Sequence, residues 1–274
     1  MIEFIPFLSV LLWSCQSLAT NPGSGNGIIV SNGLVNLGNT CYLNAQLQCA
    51  YHVPLVRDLI LEEDEDMDEE ASPSLLALRD VFASMTVAVS SLSSSKPSPS
   101  TAPLVNALGI NRFEQHDSQE FWKLLLPELD HPSITSLYRG SYESYVSAID
   151  GSGRERRRSE PFLDLSVDVS NSNSVDESLG EQFGVPELLE VKEGNGWKPP
   201  PLISSTSKER GEPVDALKGQ SLSSKGLPSI LQLHLMRFTF DWRTENMEKI
   251  NDRFAFDRVS EYCITSYVKD IRLR

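Results

Sequence analysis

Cys41 and Asn36 are the two residues whose types and spacing could carry chemistry. A free thiol, with a pKa near ~8.5, is only a few per cent ionised at neutral pH and needs help to act as a nucleophile. Cys41 opens a helical stretch, and the unpaired N–H groups and dipole at a helix start favour the thiolate. Asn36 lies five positions upstream in a loop that reads as flexible, so its amide could reach an oxyanion forming beside the sulfur. A donor of this kind is worth about 3 to 4 kcal/mol in a transition state. Spacing alone leaves a second reading open, in which Cys41 is a buried structural cysteine.

A thiol nucleophile also requires an imidazole that takes its proton and returns it to the leaving group. The chain has four histidines. His52 lies eleven residues after Cys41 on the same expected helix, about 16 Å along the axis at ~1.5 Å per residue, and is out of reach. His116 faces substrate or packs locally, and His131 precedes Pro132 in a turn. His234 sits in a leucine-rich strand opposite Leu231, Leu233 and Leu235, where a packed or surface role is expected.

The elements that must position these residues follow from periodicity. Leu43, Leu47, Ala50 and Tyr51 recur at helical spacing after a cap at Asn39 or Thr40, and Pro54 marks the end of that helix. Leu75 to Phe82 predicts a second amphipathic helix, and Glu114 to Leu126 a third, closed by Pro127. Leu137 to Val146, Pro161 to Val169 and Leu227 to Phe240 read as strands. Residues 170–226 are rich in Ser, Pro, Gly and charge and predict loops, with one apolar island at Val185 to Val191. Helices early and strands late predict an α+β fold.

Composition narrows the function class. The chain has 274 residues, 40% of them apolar and 23% charged, and can bury a sizeable core. Its net charge is −14, but Glu62 to Glu70 holds eight acids and leaves −6 for the remainder. Such a block predicts a solvated insertion and argues against nucleic-acid binding. The four cysteines form no C-x-x-C pair, so neither a zinc ribbon nor a redox motif is encoded, and a reduced intracellular setting is expected. Phe4 to Leu12 is an apolar run followed by a small-residue cleavage-like site, yet its n-region has Glu3 and no Lys or Arg. A secretory signal over residues 1–19 and a non-native extension both remain open. The run is too short to span a membrane, and no membrane association is expected.

The segment GLVNLGNTCYLNAQLQ, Gly33 to Gln48, closely resembles the cysteine box of the ubiquitin-specific proteases. QHDSQEF at Gln115 to Phe121 resembles a second signature of that family, and LQLHLMRFTF at Leu231 to Phe240, followed by Lys249 to Arg253, a third. Leu137 to Tyr145 and Phe162 to Leu165 fit its intervening strands. The resemblance implies a papain-like thumb and palm with a fingers sheet, and hydrolysis of the isopeptide bond after ubiquitin's C-terminal glycine. It implies Cys41 as nucleophile, Asn36 as oxyanion donor, and Gln115, Asp117 and Glu120 at the ubiquitin-facing cleft. The residues alone also read Asp117 as a helix cap and Glu120 as an exposed helix face. Ubiquitin and ubiquitinated proteins are the implied partners, no cofactor is implied, and the implied compartment is cytoplasm or nucleus.

Residues 27–262 are expected to form a partial catalytic domain with insertions at 62–72, 90–103 and 170–226, after an extension at 1–26 and before a divergent tail at 263–274. Two departures stand out. The family's late G-H-Y segment has no counterpart, which predicts either a catalytically inactive ubiquitin-binding pseudoenzyme or a truncated fragment lacking the last palm strands. The family's fingertip cysteine pairs fall on Ala148 to Gly151 and near Val214 to Lys218, with no cysteine in either, so no metal is expected and the tip must hold by packing.

Overall fold

The computed structural model describes residues 10–14, 33–62, 71–90, 98–200 and 211–256. Among them β1 (Val10–Ser14) falls partly within the N-terminal apolar run. The rest of residues 1–32, the acidic block beyond Glu62 and the 263–274 tail lie outside the described residues. The α+β expectation is met, and the chain divides into two compact units, Met1–Tyr138 with Gln232–His234, and Arg139–Leu231 with Leu235–Arg274.

The first unit is helical. Its helices are α1 (Cys41–His52), α2 (Pro54–Leu61), α3 (Pro73–Ser90), α4 (Ala102–Ala107), α5 (Ser118–Glu128) and α6 (Pro132–Tyr138). The expected stripe of α1 is buried as Leu43, Leu47, Ala50 and Tyr51, and α3 buries Leu75, Leu78, Val81, Phe82 and Met85 against the same core. Tyr51 and Phe82 meet edge to face at 5.3 Å. Arg79 on α3 donates to the carbonyls of Ile60 (3.0 Å) and Glu62 (2.9 Å), satisfying acceptors that the end of α2 leaves unpaired.

Three sequence expectations are corrected in this unit. The third helix begins at Ser118 rather than Glu114, because Asp117 caps it and Asn111 folds Phe113 and Glu114 into a turn. It then runs through Pro127, whose missing N–H falls in the last turn, where the Leu129 N–H still reaches the Leu125 carbonyl at 3.0 Å. Leu137 and Tyr138 close α6 instead of opening a strand. The Ser/Pro-rich connector at 90–103 contains the start of α4, which buries Leu104 and Val105.

The second unit is built on a four-stranded antiparallel sheet in the order β3-β2-β6-β5, from β2 (Gly140–Ala148), β3 (Glu155–Phe162), β5 (Glu187–Leu189) and β6 (Ala216–Ser221). The strand β4 (Leu165–Asp168) follows β3, and α7 (Val175–Gly184) follows β4. The expectation of loops over 170–226 is therefore overturned at Val175–Gly184, Glu187–Leu189 and Ala216–Ser221, while residues 201–210 lie outside the described residues. Ser174 accepts the Glu177 N–H at 3.1 Å and the Glu177 carboxylate accepts the Asn173 N–H at 2.7 Å, which starts a helix within polar sequence. Val175, Leu179 and Phe183 then bury one face of it.

β7 (Ile230–Met236) is more buried than strict alternation predicts, since Ile230 and Gln232 are buried along with Leu231, Leu233 and Leu235. The expected single strand over Leu227 to Phe240 breaks at Arg237, after which β8 (Phe238–Asp241) pairs with β9 (Asn246–Lys249). The Arg237 guanidinium donates to the carbonyls of Ile250 (3.2 Å) and Asp252 (3.1 Å), tying together the two halves of the third sequence motif.

At the sheet's tip, where cysteine pairs are absent, a backbone bond joins the two segments and a side-chain bond ties in Val191. The Ile149 N–H donates to the Asp215 carbonyl at 3.0 Å, and the Asp215 carboxylate accepts the Val191 N–H at 2.7 Å. Asp150 pairs with Arg154 at 2.6 Å.

Candidate active site

Cys41 is the first residue of α1, half-buried and not disulfide-bonded. Thr40 occupies the cap position but makes no side-chain cap bond to the helix. Its hydroxyl instead accepts the Leu37 N–H at 3.1 Å and donates to the Asn36 side-chain oxygen Oδ1 at 3.2 Å. The N–H groups of the first turn, with no partner within the helix, therefore lack a side-chain cap at the residue that carries the thiol.

The loop before Cys41 is not flexible in the sense expected, because hydrogen bonds fix it along its length. The Val35 N–H donates to the Pro99 carbonyl at 2.9 Å, and the Val35 carbonyl accepts from the Asn44 amide at 3.1 Å. The Asn39 N–H donates to the Arg112 carbonyl at 2.8 Å, and the Asn39 amide donates to the Phe113 carbonyl at 2.7 Å. Gly38 has φ +140°, and a Cβ there would stand 2.8 Å from the Arg112 oxygen, so glycine is required by both conformation and space.

This fixation decides which way Asn36 faces. Its side-chain oxygen accepts the N–H groups of Gly38 and Thr40, each at 3.3 Å, and the Thr40 hydroxyl. Backbone N–H groups are obligatory donors, so the oxygen must be the end turned into the loop. The NH2 end is then the one available to a ligand.

Tyr42, next to Cys41, is buried with its ring edge-to-face against His116 (5.5 Å) and Phe121 (5.7 Å). Burial pushes its phenol up, and the charges of Cys41 and Glu114 push in the same direction. Tyr42 thus packs the cysteine helix directly against the QHDSQEF segment. Within that segment Asp117 accepts the N–H groups of Gln119 (2.7 Å) and Glu120 (3.4 Å), which establishes the capping role read from its position. Glu120 is exposed in the first turn of α5, and Gln115 is exposed just upstream.

Each histidine has a structural neighbour. His52 bonds the Gln48 carbonyl at 2.7 Å, His116 packs on Tyr42, and the His131 ring accepts the Ile134 N–H at 3.3 Å at the start of α6. His234 lies 3.9 Å from Asp117. Sequence reading missed that last pairing, and it missed the bonds of Asn39 to Arg112 and Phe113, since these bridge distant segments. Among the described residues no group of three or more His, Cys, Asp or Glu could hold a metal ion, and no helix is long and apolar enough to cross a membrane.

Cys41 thus stands at a helix start without a side-chain cap, five residues after an asparagine whose amide oxygen is turned into the loop, on an α+β scaffold. A model of the ubiquitin carboxyl-terminal hydrolase family matches residues 32–272, and the chain belongs to that family. The match runs through most of the tail from 263 that the sequence reading set apart as divergent. The chain is 32% identical over 241 residues to "Ubiquitin carboxyl-terminal hydrolase 47" of Drosophila melanogaster, covering 82% of this chain and 14% of that protein. It is 30% identical over 239 residues to "Ubiquitin carboxyl-terminal hydrolase 15" of Schizosaccharomyces pombe, covering 82% and 19%. Against "Ubiquitin C-terminal hydrolase 13" of Arabidopsis thaliana the identity is 30% over 236 residues, again covering 82% and 19%. The chain spans less than a fifth of the length of these relatives.

Proposed function

We propose that this chain carries the nucleophile half of a deubiquitinating cysteine isopeptidase. Cys41 attacks the carbonyl carbon at ubiquitin's C-terminal glycine, and the substrate oxygen becomes an oxyanion beside the start of α1. Asn36 donates its NH2 to that oxygen, and the uncapped N–H groups of the first turn add to the positive field there. Gln115, Asp117 and Glu120 contact ubiquitin. The partners are ubiquitin and ubiquitinated proteins, and the compartment is the cytoplasm or nucleus. Residues 27–262 act as one partial catalytic domain.

The observation that carries this reading is the orientation of Asn36, whose oxygen is held by Gly38 and Thr40. With its oxygen so engaged, the exposed Asn36 side chain has its NH2 end left to donate outward, five residues before the thiol. A fluorogenic ubiquitin-amide assay on the purified chain, with Cys41→Ala beside it, tests the proposal. Hydrolysis by the wild type alone supports it, and equal signal from both proteins ends it.

A second reading, non-catalytic ubiquitin binding, is favoured by the histidines. The neighbours found for His52, His116, His131 and His234 are Gln48, Tyr42, Ile134 and Asp117, and none supplies a Cys41–imidazole pair. Calorimetry with ubiquitin separates the readings, since heat of binding without hydrolysis selects the second.

A further inference from the structure

The four-stranded sheet of the second unit presents two unlike faces. Tyr142, Ser144 and Val146 share one face with Glu160, Arg158 and Arg156 of β3. That face receives α7, through Tyr142 against Phe183 at 5.7 Å and Gln182 bonded to Gln220 at 3.4 Å. The other face carries Glu143, Tyr145 and Ser147 opposite Ser159, Arg157 and Glu155. Here Glu143, Glu155, Arg157 and Ser159 are all exposed.

On this open face Arg157 pairs with Glu143 (3.2 Å) and Glu155 (3.1 Å), and its guanidinium lies 5.4 Å from the centre of the Tyr145 ring. The Tyr145 phenol in turn lies over Gly219, where a Cβ would stand 2.7 Å from its oxygen. Ser159 stands directly opposite Glu143 in the ladder and two residues beyond Arg157 on the same face. It is preceded without a break by Arg156, Arg157 and Arg158. β3 is an edge strand, so one side of its backbone is open.

We propose that Ser159 is a phosphorylation site for an arginine-directed protein kinase, and that Arg157 is the residue that receives the phosphate. Kinases discriminate substrates by charge pattern, and three consecutive guanidinium groups before an exposed hydroxyl fit an acidic substrate groove. In the transfer the Ser159 Oγ attacks the γ-phosphorus of a nucleoside triphosphate. The new O–P bond replaces the bond to the bridging oxygen, the diphosphate leaves, and the hydroxyl proton passes to the kinase's base.

The product places close to two negative charges across from the Glu143 carboxylate, at a cross-strand Cβ spacing of about 4.5 to 5.5 Å. Two like charges repel there, while the Arg157 guanidinium binds phosphate more strongly than an exposed carboxylate. Arg157 therefore shifts from Glu143 to the phosphate, and the open face, at −1 from Glu143, Glu155 and Arg157, becomes about −3. The inference is independent of the isopeptidase reading.

The test is to incubate the folded chain with nucleoside triphosphate and the catalytic subunit of the cyclic-AMP-dependent protein kinase, an arginine-directed probe, and to map the phosphate by mass spectrometry. One phosphate per chain at Ser159 is expected, lost in Ser159→Ala and slowed at least ~10-fold in Arg156→Ala/Arg157→Ala. Phosphorus NMR of the product then reads the acceptor, with the phosphate's second ionisation, near ~6 when free, shifted up by Arg157→Ala and down by Glu143→Gln. Label mapping to other residues, incorporation only into urea-unfolded chain, or no incorporation overturns the site. Equal ionisation in both variants overturns the role of Arg157.

Discussion

The His234 ring nitrogen Nε2 lies 3.9 Å from one carboxylate oxygen of Asp117, while the other oxygen caps α5 through Gln119 and Glu120. One side chain thus serves helix geometry with one oxygen and faces an imidazole with the second. Asn preserves the capping acceptor and removes the charge, whereas Ala removes both. Asp117→Asn should hold its stability to within about 0.5 kcal/mol, and Asp117→Ala should lose about 1 kcal/mol. If Asp117 contacts ubiquitin, both variants bind ubiquitin more weakly in calorimetry. Weak binding by the alanine variant alone would assign Asp117 to capping only.

Gly38 tests how much the cysteine loop depends on its backbone. Its φ of +140° is costly for any L side chain, and a Cβ would stand 2.8 Å from the Arg112 oxygen that also receives the Asn39 N–H. Gly38→Ala should cost about 1 to 3 kcal/mol in urea unfolding, since either the strain is stored or the Arg112 contact is given up. An unchanged unfolding midpoint would show that the loop can rearrange around the methyl group.

How much of this was legible in the sequence depends on distance along the chain. α1, its apolar stripe and the position of Cys41 were readable because all lie within one contiguous segment. The cap of α5 by Asp117 was readable for the same reason. The fixation of the Asn36 loop was not, since Asn39 reaches Arg112 and Phe113, and Val35 reaches Pro99, across more than sixty residues. The helix α7 was missed although Ser174 and Glu177 stand at capping-box spacing, because the polar composition around them outweighed the spaced Val175, Leu179 and Phe183. The start of α4 was hidden in the same way by Ser and Pro.

Asn36 offers a separation of roles. Asp in its place keeps an oxygen for the Gly38 and Thr40 N–H groups and removes the outward donor. In a hydrolysing preparation, Asn36→Asp should keep the fold by circular dichroism and lower kcat by about 10²- to 10³-fold, the effect of losing one oxyanion donor. Asn36→Ala should add a loss of loop order seen as faster amide exchange at Gly38 and Thr40. Full activity in Asn36→Asp would remove the oxyanion role.

Gln46 and Gln232 are both fully buried and share one hydrogen bond at 3.4 Å, which leaves the Gln46 oxygen and the Gln232 nitrogen without a partner. Replacing one member strands the other, at a cost of about 1 to 3 kcal/mol. Gln46→Leu and Gln232→Leu should each destabilise the chain by that amount in urea. The double variant removes every unpaired polar atom of the pair and should recover most of the loss, a coupling that independent sites would not show.

Asp150 at the sheet tip provides a pH test. Its carboxyl is held down to about 2, first by the Ser152 side-chain hydroxyl and backbone N–H, then by Arg154. A depressed carboxylate contributes stability that is present above its unfolded value of 3.8 and is lost as pH falls through the folded value. The tip should therefore loosen between pH 3.8 and about 2, read as rising amide exchange at Ser152 and Arg154. Carbon NMR should find the Asp150 midpoint near 2 in the wild type. Ser152→Ala should move that midpoint up by more than Arg154→Gln does, because the serine contributes the larger hold. The reverse order would mean that the ion pair, and not the turn, organises the tip.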